Sequence, residues 1–188
     1  SIPSLLISGS VFGIVAVLFM RSLFFFASMG KKFEHHIFAA LFIAFITCAL
    51  IGAVFPAVLG FGSETINSIF VGGLTLGSLL ALLICKLLAS SVAVGFGMYG
   101  GVFAPALFLG ASAGGFLTKL YGVLGVALPA HLLPIAGMAS VTACVVGAPL
   151  SMVIIILELT LSYELAVIAM VSTAVSIQVA SLWFNHSF

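Results

Sequence analysis

Gly100-Gly101-Val102-Phe103-Ala104-Pro105-Ala106-Leu107-Phe108-Leu109-Gly110 is the stretch that decides how this 188-residue chain is read. Two glycines free the backbone for conformations and close approaches that other residues resist. Pro105 then suits the first turn of a helix. A helix start leaves backbone N–H groups without partners, and the aligned peptide dipoles place about half a positive charge there. No Lys or Arg lies within ten residues of Phe103. In an apolar frame those donors are costly unless something accepts from them. One reading is therefore a small-anion site built from backbone dipoles, which would hold a passing ion weakly enough to release it. The competing reading is that the glycines simply let helices pack closely. The stretch by itself leaves both open.

The surroundings supply the apolar frame. Hydrophobic residues make up 64% of the chain and charged residues 5%. The mean hydropathy is +1.47. The charges are Arg21, Lys31, Lys32, Lys86 and Lys119 against Glu34, Glu64, Glu158 and Glu164, with no Asp. A soluble domain carries about 25% charged residues. Nine charges cannot cover a water-facing surface of this size, which excludes a soluble globular domain and a disordered tail. A net charge of +1 excludes a nucleic-acid binder. The expected class is an all-α, multi-pass integral membrane protein with a lipid bilayer as its solvent.

Gly and Pro punctuate the apolar runs and predict helices over about 4–27, 37–55, 64–71, 73–92, 103–121, 131–145, 149–161 and 164–183. Lys31-Lys32-Phe33-Glu34-His35-His36 reads as a solvated polar loop. With Arg21 it places that end in the cytoplasm. Segments 131–145 and 149–161 are too short to cross about 30 Å of hydrocarbon. Such broken, re-entrant helices survive where protein surrounds them and point to a transport site. Residues 1–30 lack the basic start of a cleaved signal peptide. Ser1 in place of Met is expected of a piece of a longer chain.

Other residues read more plainly. Cys48, Cys85 and Cys144 are odd in number and far apart, as expected of buried thiols rather than a disulfide or metal set. His131, between Pro129 and Pro134, reads as an interfacial loop residue. Gly110-Ala-Ser112-Ala-Gly114 matches a hydrolase nucleophile pattern, but a helical frame without Asp favours helix packing. Lys86 and Glu158 lie inside apolar runs, where ionisable groups are functional candidates by default. Lys86 is expected to snorkel to the interface while raising local anion concentration.

Taken in order, these segments resemble the CLC family of voltage-gated chloride channels and proton-coupled chloride exchangers. Gly101-x-Phe103-x-Pro105 looks like that family's Gly-x-Phe-x-Pro motif. Gly147-Ala148-Pro149-Leu150 leading into Ile155-Ile156-Leu157-Glu158-Leu159-Thr160 is similar to its later Ala-Pro-Leu…Leu-Glu-Met-Thr segment. Pro56-x-x-x-Gly60-x-Gly62 with Ile66, then Lys86 and its Gly-rich tract, fall in the family's order.

The resemblance implies an inverted-repeat fold with paired helix N-termini around the anion. It implies a homodimer with one pore per subunit, in the plasma (cell inner) membrane. This chain then looks like the C-terminal half of the membrane domain. Residues 1–30 would be the last helix of the first half and 37–188 the second repeat, with the remaining half of the same polypeptide as partner. The anion-binding residues would be Gly100, Gly101, Val102, Phe103, Ala104 and Pro105. The N–H groups of Val102 and Phe103 would face the ion and the Phe103 ring would line its path. Lys86 would give electrostatic support, and Glu158 would brace a helix junction.

Chloride is the transported ligand in this reading, and no cofactor, metal, catalytic residue or enzyme activity is expected. The family's first-half motifs, with the pore serine and gating glutamate, do not occur in the chain, and neither does its pore tyrosine. Phe96, Met98 and Tyr99 stand where the family usually has small residues. The alternatives are another inverted-repeat secondary transporter, or a membrane-embedded subunit or fragment that transports nothing.

Overall fold

The computed structural model describes residues 2–32, 37–98 and 100–184. The expected loop residues Phe33, Glu34, His35 and His36, together with Tyr99, lie outside the described residues. Eight α-helices and no strand occur among the described residues. They are α1 (Ile2–Lys32), α2 (Ile37–Val54), α3 (Ser63–Val71), α4 (Leu76–Gly95), α5 (Phe103–Val123), α6 (Leu132–Val146), α7 (Pro149–Thr160) and α8 (Tyr163–Phe184), with a 3₁₀ turn at Pro56–Val58.

The helix ends follow local chemistry. α3 begins and ends on left-handed glycines, Gly62 (φ 73°) and Gly72 (φ 75°). The Gly73 N–H closes its last turn on the Ser68 carbonyl at 2.9 Å. That bond uses up Gly73, so α4 starts at Leu76 rather than at the expected 73. Thr75 caps it, its Oγ1 accepting the Ser78 N–H at 3.3 Å. Gly147 (φ 75°) ends α6, and Pro149 opens α7 as its fixed φ predicts. α1 runs to Lys32, past the expected end near 27. Lys31 in the last turn suits the negative end of the helix dipole.

Among the described residues, four helices are long and apolar enough to cross a membrane, spanning Pro3–Lys31, Leu76–Gly95, Phe103–Val123 and Tyr163–Trp183. The shorter apolar helices cover Phe38–Val54, Leu132–Val146 and Pro149–Thr160. α6 is surrounded: residues Leu133 to Gly137 and Ala139 to Ala143 are all buried. A 15-residue helix inside protein has no need to span lipid by itself. α1, α5 and α6 share the main core through Phe12, Ala16, Phe19, Leu109, Leu133 and Ala136. Thus α1 packs one face against α4, α5, α6 and α8 and leaves Ile7, Leu18, Phe24 and Phe25 exposed on the other.

α5 and α6 are antiparallel and nearly touch. A Cβ on Gly110 would collide with the Gly137 backbone, and one on Gly114 with Leu133 and Pro134. The Gly110-Ala-Ser112-Ala-Gly114 stretch is therefore a helix-packing surface, buried throughout. α6 is tied to α8 by hydroxyls: Ser140 donates to Ser172 at 3.0 Å, and Cys144 Sγ lies 3.2 Å from Ser176 Oγ. Cys48, Cys85 and Cys144 are free and half-buried. The outward face of α2, with Phe38 (90% exposed), Phe42, Phe45 and Leu50, is apolar in the manner of a lipid- or protein-facing surface.

Candidate functional site

The segment from Gly95 to Phe103 joins two spanning helices. Its start is pinned: a Cβ on Gly95 would collide with Phe26 of α1, and Gly30 lies against the Gly95 carbonyl. Phe96 packs buried against Phe26, with ring centroids 6.4 Å apart. The large residues Phe96 and Met98 therefore do different things: Phe96 fills the α1–α4 contact, and Met98 is exposed.

The chain then reaches the Gly100–Pro105 turn. Val102 is the residue before α5, with φ −81° and ψ −12°, and no side chain caps the helix. The first bond of α5 among the described residues runs from the Ala106 N–H to the Val102 carbonyl at 3.1 Å. Pro105 has no N–H to offer. Among the described residues, the donors left without a partner at this helix start are the amides of Val102, Phe103 and Ala104.

Gly100 and Gly101 behave differently from the first expectation for them. Among the described residues the left-handed glycine of this segment is Gly97 (φ 89°), and Gly101 is not one. Among the described residues a Cβ on Gly101 would meet nothing within 4 Å, and one on Gly100 only Val94 of α4, at 3.9 Å. Both are exposed, and the Phe103 side chain is 41% exposed. Close helix packing, which accounts for Gly110 and Gly114, thus has no counterpart here. The turn presents bare backbone to the open.

Lys86 is the second component of the site, and it does not snorkel. It is 5% exposed, and its Nζ donates to the carbonyls of Val58 and Gly60, both at 2.7 Å. The ammonium also sits 5.0 Å from the centre of the Phe108 ring. Phe108 in turn closes over Gly62, where a Cβ would come within 2.5 Å of the ring. One cation thereby holds the Pro56–Gly62 turn, α4 and α5 together. It reaches α5 five residues beyond Phe103, about 8 Å along the axis. Sequence reasoning found Lys86 but missed this clamp, because its partners are main-chain carbonyls that carry no side-chain signal.

Glu158 is exposed on α7, two residues before its end, with no hydrogen-bond or ion-pair partner among the described residues. The brace implied for it has no partner within these residues. His131 is the exposed residue that precedes α6. No group of three or more metal-ligating side chains forms among the described residues.

Against known proteins, a family model described as "Voltage gated chloride channel" matches residues 1–181. The chain is 36% identical over 118 residues to the voltage-gated ClC-type chloride channel ClcB of Citrobacter koseri, covering 62% of this chain and 28% of that protein. Its counterpart in Salmonella typhimurium is 35% identical over the same length and shares. The H(+)/Cl(−) exchange transporter ClcA of Klebsiella pneumoniae is 33% identical over 124 residues, 63% of this chain and 25% of that protein. The matched stretch thus spans about a quarter of these relatives. With a family match over nearly its whole length, and with the ordered Gly–Phe–Pro, Gly–Ala–Pro and lysine elements placed on one helical bundle, this chain belongs to the voltage-gated chloride channel (CLC) family.

Proposed function

We propose that the chain is part of a pathway that moves chloride across a membrane, and that the N-terminus of α5 supplies one side of the anion site. The carrying observation is the Gly100–Pro105 turn, exposed at Gly100, Gly101 and Phe103, with its amide donors at the start of a helix flanked by apolar segments. About half a positive charge at this helix end attracts an anion. A few N–H groups replace part of its hydration without an ion pair, so the ion leaves readily. A full ammonium in the same place would bind more tightly in low dielectric. Lys86 fits this division of labour, since its charge is engaged by two carbonyls and a ring. It positions α5, and the amides of Val102 and Phe103 meet the ion. The exposed Phe103 ring lines the route, and Gly100, Gly101, Ala104 and Pro105 keep the turn narrow.

A single helix end makes half of such a site. The reading therefore includes the remaining half of the polypeptide as the source of the opposing helix ends. It places the protein in the plasma (cell inner) membrane as a homodimer and assigns it no catalytic chemistry. The relatives named as a channel and as a proton-coupled exchanger support chloride as the transported ion.

The test is chloride efflux from vesicles reconstituted with the full-length polypeptide. Flux should be selective for halides over organic anions and should fall when Phe103 and the Gly100–Gly101 pair are replaced together. Flux and selectivity unchanged by those replacements would overturn the reading.

A further inference from the structure

The far end of α5 carries a second feature, remote from the Gly100–Pro105 turn. A cavity of about 270 Å³ lies between the end of α3, the start of α4, the last third of α5 and the segment before α6. Its walls include Ile69, Leu79, Gly115, Leu128 and Ala130, and its one charged lining residue is Lys119. Lys119 is half-buried, and its Nζ donates to the Gly72 carbonyl at 2.7 Å. An ammonium has three donors. Among the described residues this one has a single hydrogen-bond partner and no carboxylate. Glu64 stands at the opposite end of α3, roughly 12 Å away along that helix. Lys119 lies four residues before the end of a span, so the cavity sits near the boundary between hydrocarbon and water. Capping the C-terminus of α3 accounts for one of its hydrogen bonds. It leaves the remaining donors without a partner among the described residues, beside a space of mixed polar and apolar lining.

We propose that this cavity binds an anionic amphiphile of the surrounding bilayer. Its phosphate or carboxylate head rests on Lys119, and its first methylenes lie between Ile69, Leu79 and Leu128. The Lys119 charge selects the head, and the Ile69, Leu79 and Leu128 side chains, set beside polar lining at Thr118 and Gly72, select a chain over a bare ion. A water-filled space with the same cation would favour inorganic phosphate instead.

The test uses the full-length polypeptide in phosphatidylcholine vesicles doped with spin-labelled phosphatidylglycerol, stearate or phosphatidylcholine. The immobilised fraction of each label is measured. Phosphatidylglycerol, stearate or both should be enriched about fivefold over phosphatidylcholine, the worth of one lysine at a membrane surface. The arm that is enriched identifies the source of the head group. Lys119→Gln should abolish the preference and Lys119→Arg should keep it. Ala130→Phe retains the charge but fills the cavity, and should also abolish the preference, which separates occupancy of the cavity from loss of fold. An equal preference in wild type, Lys119→Gln and Ala130→Phe would overturn the proposal. So would the absence of any anionic preference in the wild type, or displacement of the label by inorganic phosphate alone.

Discussion

Lys86 of α4 holds its ammonium 5.0 Å from the centre of the Phe108 ring of α5, while the same nitrogen donates to two carbonyls of the Pro56–Gly62 turn. A buried cation is tolerated only when its donors are met, and here the main chain and a ring meet them. Lys86→Met removes the charge and leaves the Val58 and Gly60 carbonyls bare. Each bare acceptor costs about 1–3 kcal/mol. The expected result is a loss of about 2–5 kcal/mol of stability by denaturant titration, with Lys86→Arg retaining much of it. A variant as stable as wild type would show that the clamp is idle.

Gly62 and Phe108 form a dependent pair. Gly62 has φ 73° and the ring covers the place its Cβ would take. Gly62→Ala should cost about 2–4 kcal/mol, from left-handed strain plus a displaced ring. In a Phe108→Ala background only the strain remains, so the second substitution should cost clearly less. A double-mutant cycle measures this directly. Strict additivity would mean that the ring has room to move.

The glycines of α5 should separate into two classes. Gly110→Val and Gly114→Val meet the backbone of α6 and should abolish monodisperse protein on size-exclusion chromatography, because neither helix can yield by a full side chain. Gly101→Ala meets open space and should leave the elution profile unchanged while altering chloride flux. Misfolding of Gly101→Ala would move that residue into the packing class.

Much of the bundle was legible in the residues because Gly, Pro and the sparse charges mark nearly every helix end. Pro149 acts where first-turn chemistry places it. The spacing of Gly110 and Gly114 marked a helix-packing surface, though not that α6 is the helix packed there. The missed features are those in which tertiary partners decide. Nothing local says that Gly73 closes α3, or that Lys86 turns inward to carbonyls instead of outward to water. The Gly100-Gly101 pair reads either as a turn open to a closely approaching ion or as a helix-packing contact, and the space beside Gly101 among the described residues fits the first. Its actual distinction is empty space next to unshielded amides, which depends on what the other helices leave uncovered.

The central claim is that backbone N–H groups at the start of α5 bind the anion, and position 102 allows a donor to be deleted with little else changed. Val102 has φ −81°, within reach of proline, and sits just before the helix, where proline is tolerated. Chloride binding to full-length Val102→Pro and Val102→Ala should be compared by titration calorimetry. Val102→Ala keeps the amide and should bind within about twofold of wild type, whereas Val102→Pro loses one charge-assisted hydrogen bond and should bind about tenfold or more weakly. Equal chloride affinity in two well-folded variants would contradict the account.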